Sequence, residues 1–130
     1  MHADPAADFR TGLARSLLRE IAQHLDRLAA TGEAAAIDLR SLPMTDADRR
    51  ELDEALGHGD VAAMLDVAGE SEIRETGYAG VWWVRHFGAD GKIAAERIEI
   101  CTVPDILITH ESDIAAAGAR LRQELEDGNG

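Results

Sequence analysis

The sequence has few aromatic residues from which to build a core: two tryptophans, one tyrosine and two phenylalanines among 130 residues. Leu, Ile, Val and Ala must supply the interior, and each aromatic position says more than usual. There is one cysteine, Cys101, which excludes an internal disulfide and a cysteine-based zinc site. No apolar run approaches the length needed to span a bilayer. The start, M-H-A-D-P-A-A-D-F-R, lacks a cationic segment followed by an apolar one, so no secretory signal is expected there. The simplest setting is the cytoplasm. Cations are also short: 13 Lys and Arg against 25 Asp and Glu, for a net charge of -12. Such a chain repels phosphate backbones and anionic lipid surfaces, which argues against nucleic-acid and membrane partners.

Catalytic signatures are missing as well. The five histidines, His2, His24, His58, His86 and His110, show no helical ligand spacing, so no metal site is expected. There is no serine nucleophile elbow and no glycine-rich phosphate loop. Cys101 lies late in an apolar stretch, where a small thiol is usually a packing residue. No catalytic residue and no cofactor is implied.

What is present is a single domain, residues 1–130, long enough to bury a core. Residues 1–7 read as loose. Phe9, Leu13, Leu17, Ile21, Leu25 and Leu28 recur every three or four positions, which is one face of a helix, and Gly32 stops it. Ala34 to Leu39 reads as a short strand or extended segment before Pro43. Thr45 is a good N-cap for a second, shorter helix with Leu52, Ala55 and Leu56 on its apolar face. Three strands then run from Val61 to Val67, Ile73 to Thr76 and Val81 to Phe87. Gly88-Ala89-Asp90-Gly91 is a hairpin signal leading into Ile93 to Thr102. Ile106-Leu107 reads as a short apolar turn. Ile114, Ala117, Leu121 and Leu125 give a final helix its stripe, and the last four residues read as a frayed tail. The fold class is α+β: an antiparallel sheet of about four strands, packed with two long amphipathic helices (N- and C-terminal) and a shorter one.

The centre of the chain is Glu72 to His86, E-I-R-E-T-G-Y-A-G-V-W-W-V-R-H, which holds both tryptophans and the tyrosine. Neighbouring residues on a strand face opposite ways. Pairing the last two strands through Asp90-Gly91 sets Arg85 against Glu96, Trp83 against Ile98 and Val81 against Ile100. The other face pairs Trp82 with Glu99, Val84 with Arg97 and His86 with Ala95. An odd loop or a bulge would break this sorting. The expectation is Trp83 in the core and Trp82 on a more polar face. Tyr78, Trp82, Val84, Arg97 and Glu99 then form a candidate partner-binding set, since an exposed aromatic among charges is a typical interface anchor. Two other readings are a small enzyme or metal carrier using His86, Glu75 and Glu99, and a homodimer joined through the same face. The residues by themselves favour a binding module over an enzyme.

Several blocks in order carry a resemblance. I-D-L-R-S-L-P-M at Ile37 to Met44, L-G-H-G-D-V at Leu56 to Val61, and the E-T-G-Y-A-G-V-W-W-V core are followed by E-R-I-E-I at Glu96 to Ile100 and V-P-D-I-L at Val103 to Leu107. Together with the E-S-D-I that opens the last helix, they resemble the C-terminal domain of the HupH/HyaF-type hydrogenase expression/formation proteins. The resemblance covers residues 37–125, preceded here by a helix and a few residues, as in a stand-alone version of the module. It implies a chaperone or assembly factor for nickel–iron hydrogenases, acting on the immature iron–sulfur (small) subunit or another maturation factor. It supplies no catalytic set.

Overall fold

The computed structural model describes residues 9–66 and 69–128. The expectations for residues 1–7, for Val67 and for the last two residues lie outside them. The elements are α1 (Leu13–Thr31), β1 (Ala35–Asp38), α2 (Asp46–Leu56), β2 (Ala62–Asp66), β3 (Glu70–Glu75), β4 (Val81–Phe87), β5 (Ile93–Ile100) and α3 (Glu111–Asp127). Short 3₁₀ turns fill Leu39–Ser41 and Asp105–Leu107. The strands form one antiparallel sheet in the order β1-β5-β4-β3-β2. It is α+β as expected, with five strands because the short Ala35–Asp38 segment pairs with β5 along one edge.

The register of β4 with β5 is the expected one from Val81↔Ile100 to His86↔Ala95. The route to it differs. Five residues, 88–92, separate Phe87 from Ile93, which is an odd loop. Phe87 pairs with Ile93 while His86 pairs with Ala95, so a bulge at Ala94 restores the parity that the loop alone would lose.

α1 and α2 cover one face of the sheet. Leu17, Ile21, Leu52 and Leu56 pack on Ile37, Val81, Trp83, Ile98 and Ile100. α1 ends where its glycine predicts: Gly32 is left-handed at φ 77, and its N–H reaches the Leu28 carbonyl at 2.8 Å. It begins later than the Phe9 periodicity suggests. The Phe9 carbonyl accepts from Thr45 Oγ1 at 2.6 Å, and Thr11 donates through N and Oγ1 to Asp48 at 2.8 and 2.6 Å. These bonds hold residues 9–11 against the start of α2 and leave Phe9 exposed.

Thr45 caps α2 as read from the sequence. Its Oγ1 accepts from the Asp48 N–H at 3.0 Å, and Asp48 returns a bond to the Thr45 N–H, which closes a capping box. Burial pushes the Asp48 carboxyl up, but the bonds from Thr11 and Thr45 outweigh it and hold the group below its usual value.

α3 departs from expectation. Its apolar stripe is present, but none of its residues is buried. It packs on neither face of the sheet. Among the described residues, no helix is long and apolar enough to cross a membrane.

Candidate interaction surface

On the sheet face away from α1 and α2, register sets Glu75, Trp82 and Glu99 in one row across β3, β4 and β5. Trp82 is only 7% exposed and Val84 is fully buried. The two form a second small core with Ile73, flanked by Leu65, Cys101 and Leu107. The indole N–H of Trp82 donates to the Cys101 carbonyl at 3.3 Å. This corrects the expectation of an exposed Trp82. Strand parity places its ring on the second face, but parity does not say that the segment after β5 returns across that face. The 3₁₀ turn does so, bringing Leu107 onto the ring.

Of the other three members of the expected set, Tyr78 and Arg97 remain at the surface, in two places, and Glu99 is mostly covered, its side chain 13% exposed. Tyr78, 54% exposed, sits in the β3–β4 turn and lines a recess with α1 and α2, away from the Trp82 face. Arg97 and Glu99 stay together, with Arg97 Nε 2.9 Å from Glu99 Oε2. They border an open depression of about 330 Å³ with Ala34, Ala35, Ala36, Cys101 and Asp105. Three consecutive alanines on and before β1 keep its floor low. Beyond it, the segment after β5 exposes Val103, Ile106 and Ile108.

The chemistry of this depression is not that of a nucleophile. Burial, and then the negative charges of Glu99 and Asp105, push the Cys101 thiol up to about 11, so it stays protonated near neutrality. The structure does not assemble His86, Glu75 and Glu99 either. His86 Nδ1 lies 2.7 Å from Ser71 Oγ, Glu75 accepts from the Asp60 N–H at 3.2 Å, and Trp82 separates Glu75 from Glu99 in the row. Among the described residues, no three His, Cys, Asp or Glu side chains are placed to hold a metal ion.

On the helix-covered face, sequence reasoning found one half of a buried charge cluster. Glu96 is 1% exposed. It accepts from Arg85 Nε at 2.6 Å, from Trp83 Nε1 at 2.8 Å and from Arg49 of α2. Burial raises the Glu96 carboxyl, and the bonds from Arg85, Trp83 and Arg49 more than reverse the effect. Arg74 and Arg85 stand over the Trp83 ring, 4.8 and 5.5 Å from its centroid. The Arg85–Glu96 pair was legible from register. Arg49 was not, because it arrives from a different element 47 residues away. This cluster fastens α2 to the sheet.

Taken together, these features define a two-layer α+β domain with a second small core under its C-terminal segment and a helix standing clear of both. The chain belongs to the family described as HupH hydrogenase expression protein, C-terminal conserved region, which matches residues 13–127 and so takes in α1. It is 31% identical over 110 residues to the hydrogenase expression/formation protein HoxQ of Azotobacter vinelandii, covering 85% of this chain and 38% of that protein. It is 32% identical over 108 residues to HupH of Rhodobacter capsulatus, covering 82% and 39% respectively. The chain thus spans about two-fifths of the length of these curated relatives. A solved structure, the hydrogenase expression protein HupH from Thiobacillus denitrificans ATCC 25259, superimposes with a TM-score of 0.87 at 43% identity, covering 92% of this chain and 99% of that one.

Proposed function

We propose that this protein is an accessory factor in nickel–iron hydrogenase maturation, acting in the cytoplasm as a chaperone rather than an enzyme. It holds the immature iron–sulfur (small) subunit or another maturation factor. The observation that carries this reading is the surface beside β1 and β5. There the Arg97–Glu99 pair borders an alanine-floored depression, with exposed Val103, Ile106 and Ile108 following in the chain. A charged pair beside apolar side chains is the composition of a protein-docking surface. Membership of a family whose relatives are named hydrogenase expression/formation proteins supports the same reading. Within the sequence-derived set, Trp82 and Val84 act by supporting the sheet under this surface, and Arg97 and Glu99 meet the partner.

The test is co-purification from cells making the hydrogenase. The exchange Arg97→Glu with Glu99→Arg keeps an ion pair but reverses the charge pattern the partner meets. Capture of a hydrogenase subunit or maturation factor should fall at least tenfold while the circular dichroism stays unchanged. If folded wild-type protein captures neither, or the exchanged variant captures them equally well, the reading fails.

A further inference from the structure

Two apolar surfaces of this chain are unpartnered, and they match. The first is the stripe of α3: Ile114, Leu121 and Leu125 are each more than half exposed on a helix that buries nothing. The second is a recess of about 270 Å³ between the helices of the main layer, lined by Leu18, Ile21, Ala22 and Leu25 of α1 with Ala55, Leu56 and Tyr78. It continues along α1 through Leu18 and Ala22 into a depression bordered by Arg15 and Arg19. From Arg15 to Leu25 this groove runs about 15 Å, and the stripe from Ile114 to Leu125 about 16 Å, at the rise of an α-helix.

The charges match as well. α3 carries Glu111, Asp113, Glu124, Glu126 and Asp127 against Arg120 and Arg122. The groove offers Arg15 and Arg19 beside Glu51, whose own charge is partly met by Arg10 at 4.0 Å.

A chain does not reach its own groove. Leu107 is fixed beside Trp82 on the opposite face of the sheet, and only Ile108, Thr109 and His110 lie between it and α3. Those residues span about 13 Å at full extension, whereas β4 is the central strand, about 10 Å from either edge of the sheet, and the groove lies beyond that edge on the other face. Self-docking would strip Leu107 from the Trp82 core.

We propose that α3 of one chain seats its Ile114–Leu125 stripe in the α1–α2 groove of a second copy and receives that copy's α3 in return. The contact is isologous, as a two-fold dimer requires. Two 17-residue helices docked in this way cover about 1,000 Å² in total, the lower bound for a specific interface. The groove and α3 are separate from the Arg97–Glu99 surface, so this proposal does not rest on the hydrogenase reading.

The experiment uses the full chain. Solution mass should be twice 14.0 kDa, and Leu121→Glu with Leu125→Glu should return it to the single-chain value with an unchanged circular dichroism spectrum. In a Cys101→Ser background, chains carrying Ala22→Cys are mixed with chains carrying Leu121→Cys and oxidised. A disulfide between the two kinds of chain is expected. A single-chain mass for the wild type at every concentration overturns the proposal. So does a dimer in which Leu121→Cys chains link only to one another, which would mean that the α3 helices pair directly. A dimer that persists in the double glutamate variant overturns it too.

Discussion

Trp82 and Trp83 are adjacent in β4 and are buried in different cores, Trp83 under α1 and α2 and Trp82 under the turn that carries Leu107. Trp83→Ala should destabilise the protein by about 3–5 kcal/mol, the usual range for emptying a buried aromatic site. Trp82→Ala should be less severe but still exceed about 1 kcal/mol, because its cluster is smaller and its ring keeps a narrow exposed edge. Urea unfolding followed by circular dichroism separates the two. A neutral Trp82→Ala would mean that Leu107 does not seal this face.

Glu96→Gln retains a partner for the Trp83 indole but leaves Arg49 and Arg85 without their shared carboxylate. The expected loss is about 3 kcal/mol, the lower end of the range for breaking a buried pair from one side, because both arginines keep partial access to water. Chemical denaturation of the single variant at neutral pH is sufficient to measure it.

Asp48 and Glu96 both have folded-state carboxyl groups held below their ordinary values. As the pH falls, the unfolded chain therefore binds protons before the folded one does. Their contribution is complete above the ordinary carboxylate range of about 4 and is lost as the pH drops through the lowered folded values. Asp48→Asn should be less stable than wild type at neutral pH and should show a shallower acid slope. Thermal melts from pH 6 downward, spaced at about half a unit around that range, measure both effects.

With its thiol pushed up to about 11, Cys101 should react slowly with iodoacetamide. Near pH 8 its thiolate fraction is more than a hundredfold below that of a free cysteine, whose pKa is about 8.5. Labelling at the rate of a small-molecule thiol would contradict the burial seen beside Glu99 and Asp105.

Removing residues 111–130 should leave the near-ultraviolet signals of both tryptophans in place, since α3 buries nothing against either core. It should, however, abolish any dependence of the melting temperature on protein concentration. Mass action gives the intact chain such a dependence if α3 joins two copies.

Much of the sheet was readable from residue order, because a two-residue period leaves little freedom once one pair of strands is aligned. The capping of α2 by Thr45 and the stop at Gly32 were readable for similar local reasons. Apart from the odd loop and compensating bulge at the β4–β5 tip, the readings that missed concerned contacts between distant elements. An amphipathic stripe shows that α3 has an apolar side, not what that side meets. Strand parity places Trp82 opposite Trp83, yet Leu107 decides whether its ring meets water. Arg49 joins Glu96 only because α2 crosses that part of the sheet. In the expected partner set, Arg97 kept a surface position because its face is only partly covered, while Glu99 lies beside it with most of its side chain covered.

The hairpin tip between β4 and β5 also constrains how this domain can vary in length. Its five-residue loop and the irregularity at Ala94 are each one residue out of step, and they cancel. A relative lacking one tip residue can keep the same interior by straightening Ala94. A relative that loses the residue but keeps the kink would turn β5 over and aim Arg97 and Glu99 at α1. Single-residue changes there should therefore occur in compensating pairs or not at all.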